Sequence, residues 1–151
     1  MTSTYTIAVF DGDGIGPEIT APTLKLLTSL SLGRGYALEC QVLPAGAQCY
    51  HDTGDALPGP SLEKARAADA ILLSAMGLPH IRYPDGTEIT PQIDLRIALD
   101  LYAGVRPVRI VPGQPSPLKV AEHEALDFVL VRESTEGLFH TKGKGLVTED
   151  L

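Results

Sequence analysis

Short apolar runs alternate along the chain with stretches whose apolar residues recur at helical spacing. Residues 5–10 are mostly apolar and predict a buried strand, whereas residues 36–43 alternate and predict a second strand. Between these strands, Pro17 stands where a first helical residue would, and an apolar stripe predicts a helix to about residue 31. The stripe consists of Ile19, Leu24, Leu27 and Leu30.

The same alternation of strands and helices continues beyond residue 43. The predicted elements are a short helix at 46–51, a helix starting at Ser61, a buried strand at 70–73, a helix at 91–101, strands at 102–111 and 128–131, and the start of a strand at 143–151. The Ser61 hydroxyl is expected to cap its helix, and Ile93, Ile97 and Leu101 are expected to face inward. This order predicts an α/β protein with crossover units and a largely parallel sheet.

Composition and charge exclude several classes of protein. The 151 residues are 44% hydrophobic, which suits one globular domain or a large piece of one. Lys and Arg number 12 against 19 Asp and Glu, so the net charge of −7 predicts no nucleic-acid partner. No apolar run approaches the roughly 18–20 residues of a spanning helix, which predicts no membrane partner. The N-terminus lacks a basic region and Cys40 and Cys49 stand alone, so a cytoplasmic location is expected.

A glycine-rich turn follows the first predicted strand. Gly12, Gly14 and Gly16 are each separated by one residue, whereas the dinucleotide fingerprint is G-x-G-x-x-G. Asp11 and Asp13 would also repel a pyrophosphate at the following helix N-terminus. The spacing argues against a Rossmann fold and favours a tight strand-to-helix turn over a ligand-contacting loop.

Four motifs together carry a resemblance to a known family. Residues 12–19 read GDGIGPEI, residues 99–108 read LDLYAGVRPV, and residues 131–137 read VRESTEG. The fourth is the short run Ala-Met-Gly at 75–77. In this order the motifs resemble the N-terminal portion of the β-decarboxylating dehydrogenases, the isocitrate and 3-isopropylmalate dehydrogenase family.

The resemblance implies an isopropylmalate-dehydrogenase-like α/β fold, which is not the Rossmann fold. Its mixed sheet is flanked by helices. Residues 1–101 would form the N-terminal part of the first domain, and residues 102–151 would begin an incomplete second domain. The implied activity is that of an oxidoreductase, the oxidative decarboxylation of a 2-hydroxy acid of the isocitrate or 3-isopropylmalate type. The resemblance further implies that the enzyme uses NAD or NADP as its cofactor and binds a Mg or Mn ion whose ligands lie outside this chain. It also implies that the full-length protein is a homodimer.

Three arginines are the implied ligands of the acid. The family holds the malate part of its substrate with arginines at the positions of Arg96, Arg106 and Arg132. Such an acid needs planar, permanently charged donors that bind carboxylates with two hydrogen bonds. The alternative for each arginine is a surface or interdomain salt bridge.

The substituent of the acid would be recognised just before the first arginine. There the resemblance aligns Thr90 and Gln92 with the polar pair that isocitrate-type enzymes use for a third carboxylate. A polar substituent is favoured, because a charged group against an apolar wall would lose its hydration. Alternatively, Thr90 caps the helix that starts at Pro91.

The remaining implied site residues concern the cofactor and a proton. Ile15, Met76 and Gly77 would lie along the cofactor, with core and turn packing as the alternative. Phe139 occupies the position of a family tyrosine that helps to deliver a proton, and phenylalanine has none to give. The adjacent His140 could be the donor instead, or a solvated loop residue. No metal ligands are predicted in the chain, because Asp11 and Asp13 lack a third ligand.

The sequence therefore leaves two hypotheses about the function of this chain. The first is a metal- and NAD(P)-dependent oxidative decarboxylase of which this chain is the N-terminal part. The second is a catalytically inactive relative that binds an acid as a regulatory subunit, which Phe139 favours. Since the metal ligands would lie elsewhere, the chain is expected to be a truncated piece, a proteolytic fragment or half of a split protein.

Overall fold

The computed structural model describes residues 3–113, 115, 118, 125–133 and 135–137. Its helices and strands are β1 (Ser3–Phe10), α1 (Gly16–Ser31), β2 (Tyr36–Val42), α2 (Ala47–Thr53), α3 (Gly59–Ala67), β3 (Ala70–Leu73), α4 (Pro91–Ala98), β4 (Ala103–Ile110) and β5 (Leu126–Glu133). Parallel and antiparallel strand pairs both occur and helices alternate with the strands, so the α/β class is confirmed. The strand expected at 143–151 lies outside the described residues.

The chain divides into two compact units, residues 1–95 and residues 96–151. The predicted domain boundary after residue 101 stays a prediction about the folded domains. In the described part of the chain, no helix combines the length and the apolarity that crossing a membrane requires.

The first unit is built around a parallel sheet with the strand order β2-β1-β3. Ile7 on β1 pairs with Cys40 on β2 and with Ala70 on β3, so β1 lies at the centre. Its C-terminal residues Val9 and Phe10 are fully buried, because a central strand is covered by neighbours on both edges. The sheet therefore places the carboxyl ends of β1 and β3 side by side.

The turn after β1 is the tight strand-to-helix connection that the glycine spacing favours. Gly12 has a φ of +72°, in the left-handed region that glycine adopts without strain. A β-carbon at Gly12 would overlap the backbone carbonyl of Ala75. The amide of Asp13 donates to that same carbonyl at 2.9 Å, which joins the turn to the segment after β3.

The expected serine cap of the third helix is wrong. Helix α3 begins at Gly59, after Pro58, and no side chain caps it. The Ser61 hydroxyl is buried and donates instead to the carbonyl of Pro44 at 2.9 Å. Because the helix begins two residues before Ser61, this serine lies inside the first turn instead of at the N-cap, and its hydroxyl bonds a neighbouring loop.

The second unit contains an antiparallel pair, in which β4 faces β5 from Ala103–Glu133 to Ile110–Leu126. The expectation that residues 128–131 form a buried strand is wrong, since Val131 is 64% exposed and Phe128, Val129 and Leu130 are also exposed. An apolar run predicts a strand but does not predict whether another layer covers it. Ile93, Ile97 and Leu101 are likewise exposed rather than inward, and Pro91 and Leu95 are the buried residues of α4.

Candidate functional site

Asp13 is a buried carboxylate that holds three backbone segments together. One of its oxygens, Oδ2, accepts hydrogen bonds from the amides of Ala47 at 2.7 Å and Gly77 at 2.8 Å. Its other oxygen, Oδ1, accepts from the amide of Gln48 at 2.9 Å. The side chain is thereby satisfied although the residue is only 4% exposed. Asp13 thus fixes Gly77 relative to the turn after β1 and the start of α2.

A compact turn at residues 83–87 lies between β3 and α4, just before the segment that lines the site. The amide of Tyr83 donates to the carbonyl of Thr87 at 3.0 Å, and the Asp85 carboxylate accepts from the hydroxyl of Thr87 at 2.7 Å. The same carboxylate also accepts from the Thr87 amide at 2.9 Å, and these two bonds from Thr87 lower the pKa of Asp85. After the turn, Ile89 packs with Ala47 and Ala56 in a buried cluster, which anchors the chain before it enters α4.

Tyr83 packs on the edge of that cluster. Its ring lies 4.9 Å from the ring of Tyr50, in an edge-to-face arrangement. Burial raises the pKa of the Tyr83 phenol, and the Asp94 carboxylate raises it further. Desolvation in turn raises the pKa of Asp94 in the first turn of α4. Tyr83 therefore remains protonated at neutral pH.

A cavity of about 220 Å³, here called the Gln92 cavity, lies beside these segments. The residues that line it are Met76, Gly77, Leu78, Pro79, Ile81, Glu88, Ile89, Thr90 and Gln92. It brings together two residues expected along the cofactor, Met76 and Gly77, and the two expected near the substituent, Thr90 and Gln92. The remaining cofactor residue, Ile15, is exposed and is not among the residues lining the cavity.

The second unit contains an arginine groove of about 280 Å³. Its lining residues are Arg96, Leu101, Ala103, Gly104, Val105, Arg106 and Arg132. Arg96 comes from the end of α4, Arg106 from β4 and Arg132 from β5. All three arginines named from the sequence therefore line one concave surface, and their combined charge suits an acid with several carboxylates.

Strand register explains how two of the arginines share the groove. Gly104 pairs directly with Arg132, so Arg106, two residues later on β4, lies on the same face and diagonal to Arg132. A β-carbon at Gly104 would lie 3.2 Å from the Arg132 carbonyl oxygen. A side chain at Gly104 would therefore crowd the β5 backbone at Arg132, beside the groove.

Helix α4 and its exit place the third arginine. The amide of Leu101 donates to the carbonyl of Arg96 at 2.9 Å, and Asp100 adopts a positive φ of 54°. This left-handed turn ends the helix and leads the chain into β4. Leu101, which also lines the groove, is thus held beside Arg96 by the turn that ends α4.

Arg109 shows the surface salt bridge that was the alternative for the other arginines. Its Nε lies 3.6 Å from Oδ2 of Asp127, the residue opposite on β5, and both side chains are well exposed. Such a pair contributes little to stability. Arg109 is not part of the groove lining, so it offers an internal comparison for Arg106 on the same strand.

Two of the expected site residues, Phe139 and His140, lie outside the described residues. Among the described residues, no group of three or more His, Cys, Asp and Glu could hold a metal ion. The sequence argument missed Asp13 as a structural anchor and Glu88 and Leu78 as parts of the cavity lining. A hint for Asp13 was available, because an acidic residue between two glycines of a tight turn faces many free backbone amides.

Comparison with known proteins decides the family. The family model for isocitrate/isopropylmalate dehydrogenase matches residues 6–149. The chain belongs to this family. The resemblance that was stated from the motifs at residues 12–19, 75–77, 99–108 and 131–137 is therefore confirmed.

Curated relatives carry the name 3-isopropylmalate dehydrogenase. The protein from Thermobifida fusca (strain YX) is 40% identical over 93% of this chain and 39% of its own length. That from Mycobacterium avium (strain 104) is 43% identical over 91% of this chain and 39% of its own length. The chain thus spans about two-fifths of the length of these relatives.

Solved structures of the family share the fold. The isocitrate dehydrogenase from Methylococcus capsulatus matches with a TM-score of 0.68 and 28% identity. That match covers 90% of this chain and 36% of the isocitrate dehydrogenase. The isopropylmalate-dehydrogenase-like fold predicted from the motifs is therefore confirmed.

Proposed function

We propose that the polypeptide containing this chain catalyses the oxidative decarboxylation of a malate-type 2-hydroxy acid. The observation that carries the proposal is the arginine groove, in which Arg96, Arg106 and Arg132 line one surface. Guanidinium groups stay charged and bind carboxylates with paired hydrogen bonds. Membership of the dehydrogenase family supports the same activity.

Within this proposal the arginines bind and orient the acid. With the carboxylates held, the carbon that bears the hydroxyl keeps one orientation, so positioning lowers the entropic part of the barrier. Once that carbon has been oxidised to a ketone, the 3-carboxylate leaves as carbon dioxide and the ketone takes up the electron pair of the broken bond. Release of carbon dioxide creates an enolate whose carbon must then take up a proton.

A nicotinamide cofactor, NAD or NADP, would accept the hydride from the hydroxyl-bearing carbon. Met76 and Gly77 are the residues proposed to contact it, because Met76, Leu78 and Pro79 give the Gln92 cavity an apolar wall suited to a flat ring. Ile15 is proposed as a further contact on the strength of the family motif alone. A Mg or Mn ion belongs to the proposal, but the described residues offer no ligand set for it, so no step here depends on the ion.

The full-length protein is proposed to be a cytoplasmic homodimer, as the family resemblance implies. The competing function, an inactive subunit that binds an acid, is favoured by one observation. Phe139 stands where the family resemblance implies a proton-delivering tyrosine. Loss of the final protonation would leave acid binding by the arginines intact, so binding and turnover have to be measured separately.

The test is made on the complete natural polypeptide that contains this sequence. Formation of reduced nicotinamide is followed by absorbance with NAD or NADP, Mg or Mn, and malates that differ in their 3-substituent. Release of carbon dioxide in equal amount is measured in parallel. Stoichiometric reduction and carbon dioxide release support the proposal.

Binding of an acid by calorimetry, without any reduction of the cofactor, would replace this proposal with the inactive acid-binding function. If none of the acids binds, both the dehydrogenase function and the acid-binding function are ruled out. Arg109→Gln is the matched control for variants in the groove, because it removes the same charge from β4 outside the groove lining.

A further inference from the structure

A second concave surface of the first unit, here called the His80 cleft, has no part in the proposed function. It has a volume of about 410 Å³ and is lined by Tyr50, His51, Gly54, His80, Ile81 and Arg82. Among the described residues that line it, none is Asp or Glu, although the chain has 19 acidic residues against 12 Lys and Arg. Of these lining residues, only Ile81 also lines the Gln92 cavity, so the cleft is a separate site.

Two hydrogen-bonded turns form the backbone of the cleft. At the end of α2, Gly54 has a φ of +81° and its amide donates to the carbonyl of Tyr50 at 2.7 Å. In the segment between β3 and α4, the amide of Ile81 donates to the carbonyl of Leu78 at 3.0 Å. The exposed His80 lies inside this second turn. Both walls of the cleft are therefore held by bonds within the chain before any ligand binds.

The guanidinium group of Arg82 is held in place by three acceptors. Its Nε donates to the carbonyl of Pro79 at 3.3 Å, its Nη1 to the carbonyl of Gly86 at 3.3 Å, and its Nη2 to Oε1 of Glu88 at 3.2 Å. A guanidinium group has five N–H donors, so two of them remain for a ligand. Because the group is already fixed, it loses little conformational freedom when a ligand binds.

His51 is oriented by a neighbouring carboxylate. Its Nδ1 lies 2.9 Å from Oδ1 of Asp52, and the same oxygen accepts from Nε2 of Gln48 at 2.8 Å. An ionised carboxylate can only accept hydrogen bonds, so Nδ1 carries a proton and Nε2 of the ring is left for a ligand. In the charged form of an imidazole, that second nitrogen is also a donor. The nearby carboxylates of Asp52 and Glu88 are thus engaged by their own partners and do not line the cleft.

We propose that the His80 cleft binds a small phosphate monoester. Arg82 and the imidazoles of His51 and His80 contact the phosphate. Tyr50 and Ile81 offer apolar surface to the organic part. A phosphate presents three oxygens to donors from three side chains, whereas a carboxylate presents two. The volume of the cleft falls within the range of small-molecule sites.

A metal ion fits this lining less well than a phosphate. The described residues contain no group of three or more His, Cys, Asp and Glu that could hold a metal, so the two histidines of the cleft have no third ligand of these types beside them. The cation of Arg82 would also repel a metal ion in the same cleft. The phosphate proposal is independent of the dehydrogenase function, because it uses none of the residues assigned to the acid or the cofactor.

The test uses the complete natural polypeptide that contains this chain, after a chelating resin has removed metal ions. Phenyl phosphate, inorganic phosphate and benzoate are titrated separately by calorimetry. We expect phenyl phosphate to bind with a Kd below about 1 mM. Inorganic phosphate should bind about 10-fold more weakly, because it lacks an apolar part, and benzoate at least about 10-fold more weakly, because it lacks the third oxygen.

Variants locate the bound phosphate. Arg82→Gln should raise the Kd for phenyl phosphate by at least about 10-fold. Arg66→Gln is the matched control, because Arg66 is also exposed and near a glutamate, with Nε 3.9 Å from Oε1 of Glu63, but does not line the cleft. It should change the Kd by less than about twofold. His80→Gln, at an exposed position of the cleft, should also weaken binding and serves where Arg82→Gln does not fold.

Each other outcome overturns the proposal in a different way. Absence of binding below about 1 mM rules out the site. Binding that is lost in Arg106→Gln and kept in Arg82→Gln assigns the phosphate to the arginine groove instead. Binding that appears only after Zn²⁺ is added back makes the two histidines a metal site, and equal affinity for benzoate rules out selection of phosphate. Oxidation of malate-type acids is measured separately, so none of these results decides the dehydrogenase function.

Discussion

Asp13 is the side chain on which the local geometry near Gly77 depends most. Its carboxylate accepts bonds from three backbone amides of two separate segments. Bonds to a charged acceptor are stronger than neutral ones, and each buried amide that loses its partner adds a desolvation cost. The residue thus links folding of the turn after β1 to the position of the proposed cofactor contact.

Replacing Asp13 by alanine should lower the free energy of unfolding by about 3–5 kcal/mol, because three amides lose a charged acceptor. The measurement is urea unfolding followed by circular dichroism. Asp69→Ala is the matched control, since Asp69 is exposed and accepts one bond, from the amide of Thr6. Equal losses for the two variants would contradict the anchoring role of Asp13.

The arginine groove gives a second prediction for single residues. Arg106→Gln should reduce kcat/KM for the preferred acid by about 10- to 100-fold, which corresponds to about 1.4–2.8 kcal/mol. Arg109→Gln, with the same change of charge on the same strand, should alter kcat/KM by less than about twofold. Similar losses in both variants would indicate a general electrostatic attraction instead of direct carboxylate binding.

Phe139 supplies a prediction from sequence alone. If proton delivery limits turnover, Phe139→Tyr should raise kcat by about 100-fold or more, in the range of general acid–base catalysis. The control is Phe128→Tyr, because Phe128 is already exposed on β5. An unchanged kcat in Phe139→Tyr together with a large loss in His140→Gln would assign the proton to His140 instead.

At the scale of elements, the turn between β1 and α1 fits the chain only with glycine at its first position. Gly12 has a φ of +72°, and a β-carbon there would overlap the carbonyl of Ala75. Gly33, at the end of α1, has a φ of +71° but nothing within 4 Å of the same position. The two glycines therefore share a backbone conformation and differ in their surroundings.

This contrast predicts different costs for the same substitution. Gly33→Ala should destabilise the protein by about 1–2 kcal/mol through the left-handed conformation alone. Gly12→Ala should cost more, because the Ala75 backbone must also move away and weaken its bond with the amide of Asp13. Thermal unfolding of both variants measures the difference, and equal midpoints would show that the overlap relaxes at no cost.

For the whole molecule, the main feature is apolar surface on β4 and β5. Val105, Phe128, Val129, Leu130 and Val131 are all exposed in the described residues. Val105, Val129 and Val131 lie on one face of the strand pair and Phe128 and Leu130 on the other. Exposed apolar surface of this kind promotes association in water. Further chain of the length that the family relatives have would be able to cover it.

Residues 1–151 expressed alone should therefore self-associate and bind an apolar fluorescent dye. Gel filtration over a range of concentrations and dye titration measure both properties. Val131→Lys, which places a charge on the exposed run, should reduce both without changing the strand pairing. A compact monomer that binds no dye would contradict the prediction.

Much of the fold could be predicted from the sequence because its signals are local. Apolar runs, and alternation in the case of β2, indicated the strands of the described residues, and Pro17 marked the start of α1. The three arginines were found through motifs, and the groove then brought them onto one surface. The starts of helices were harder to predict. Ser61 was expected to cap α3, but its hydroxyl bonds the carbonyl of Pro44 and the helix begins at Gly59.

Which apolar runs are buried was decided by the tertiary structure. Two runs of similar composition show this. Residues 128–131 are as apolar as residues 7–10, yet β5 is exposed and the end of β1 is fully buried. The local pattern is the same, and only the neighbouring elements differ. The sequence by itself determined the order of elements and the glycine turn, whereas the register that sets Arg106 diagonal to Arg132 comes from the pairing of β4 with β5. The anchoring of Gly77 by Asp13 and the enclosure of Gln92 depend on contacts between residues distant in the chain, which no local pattern encodes.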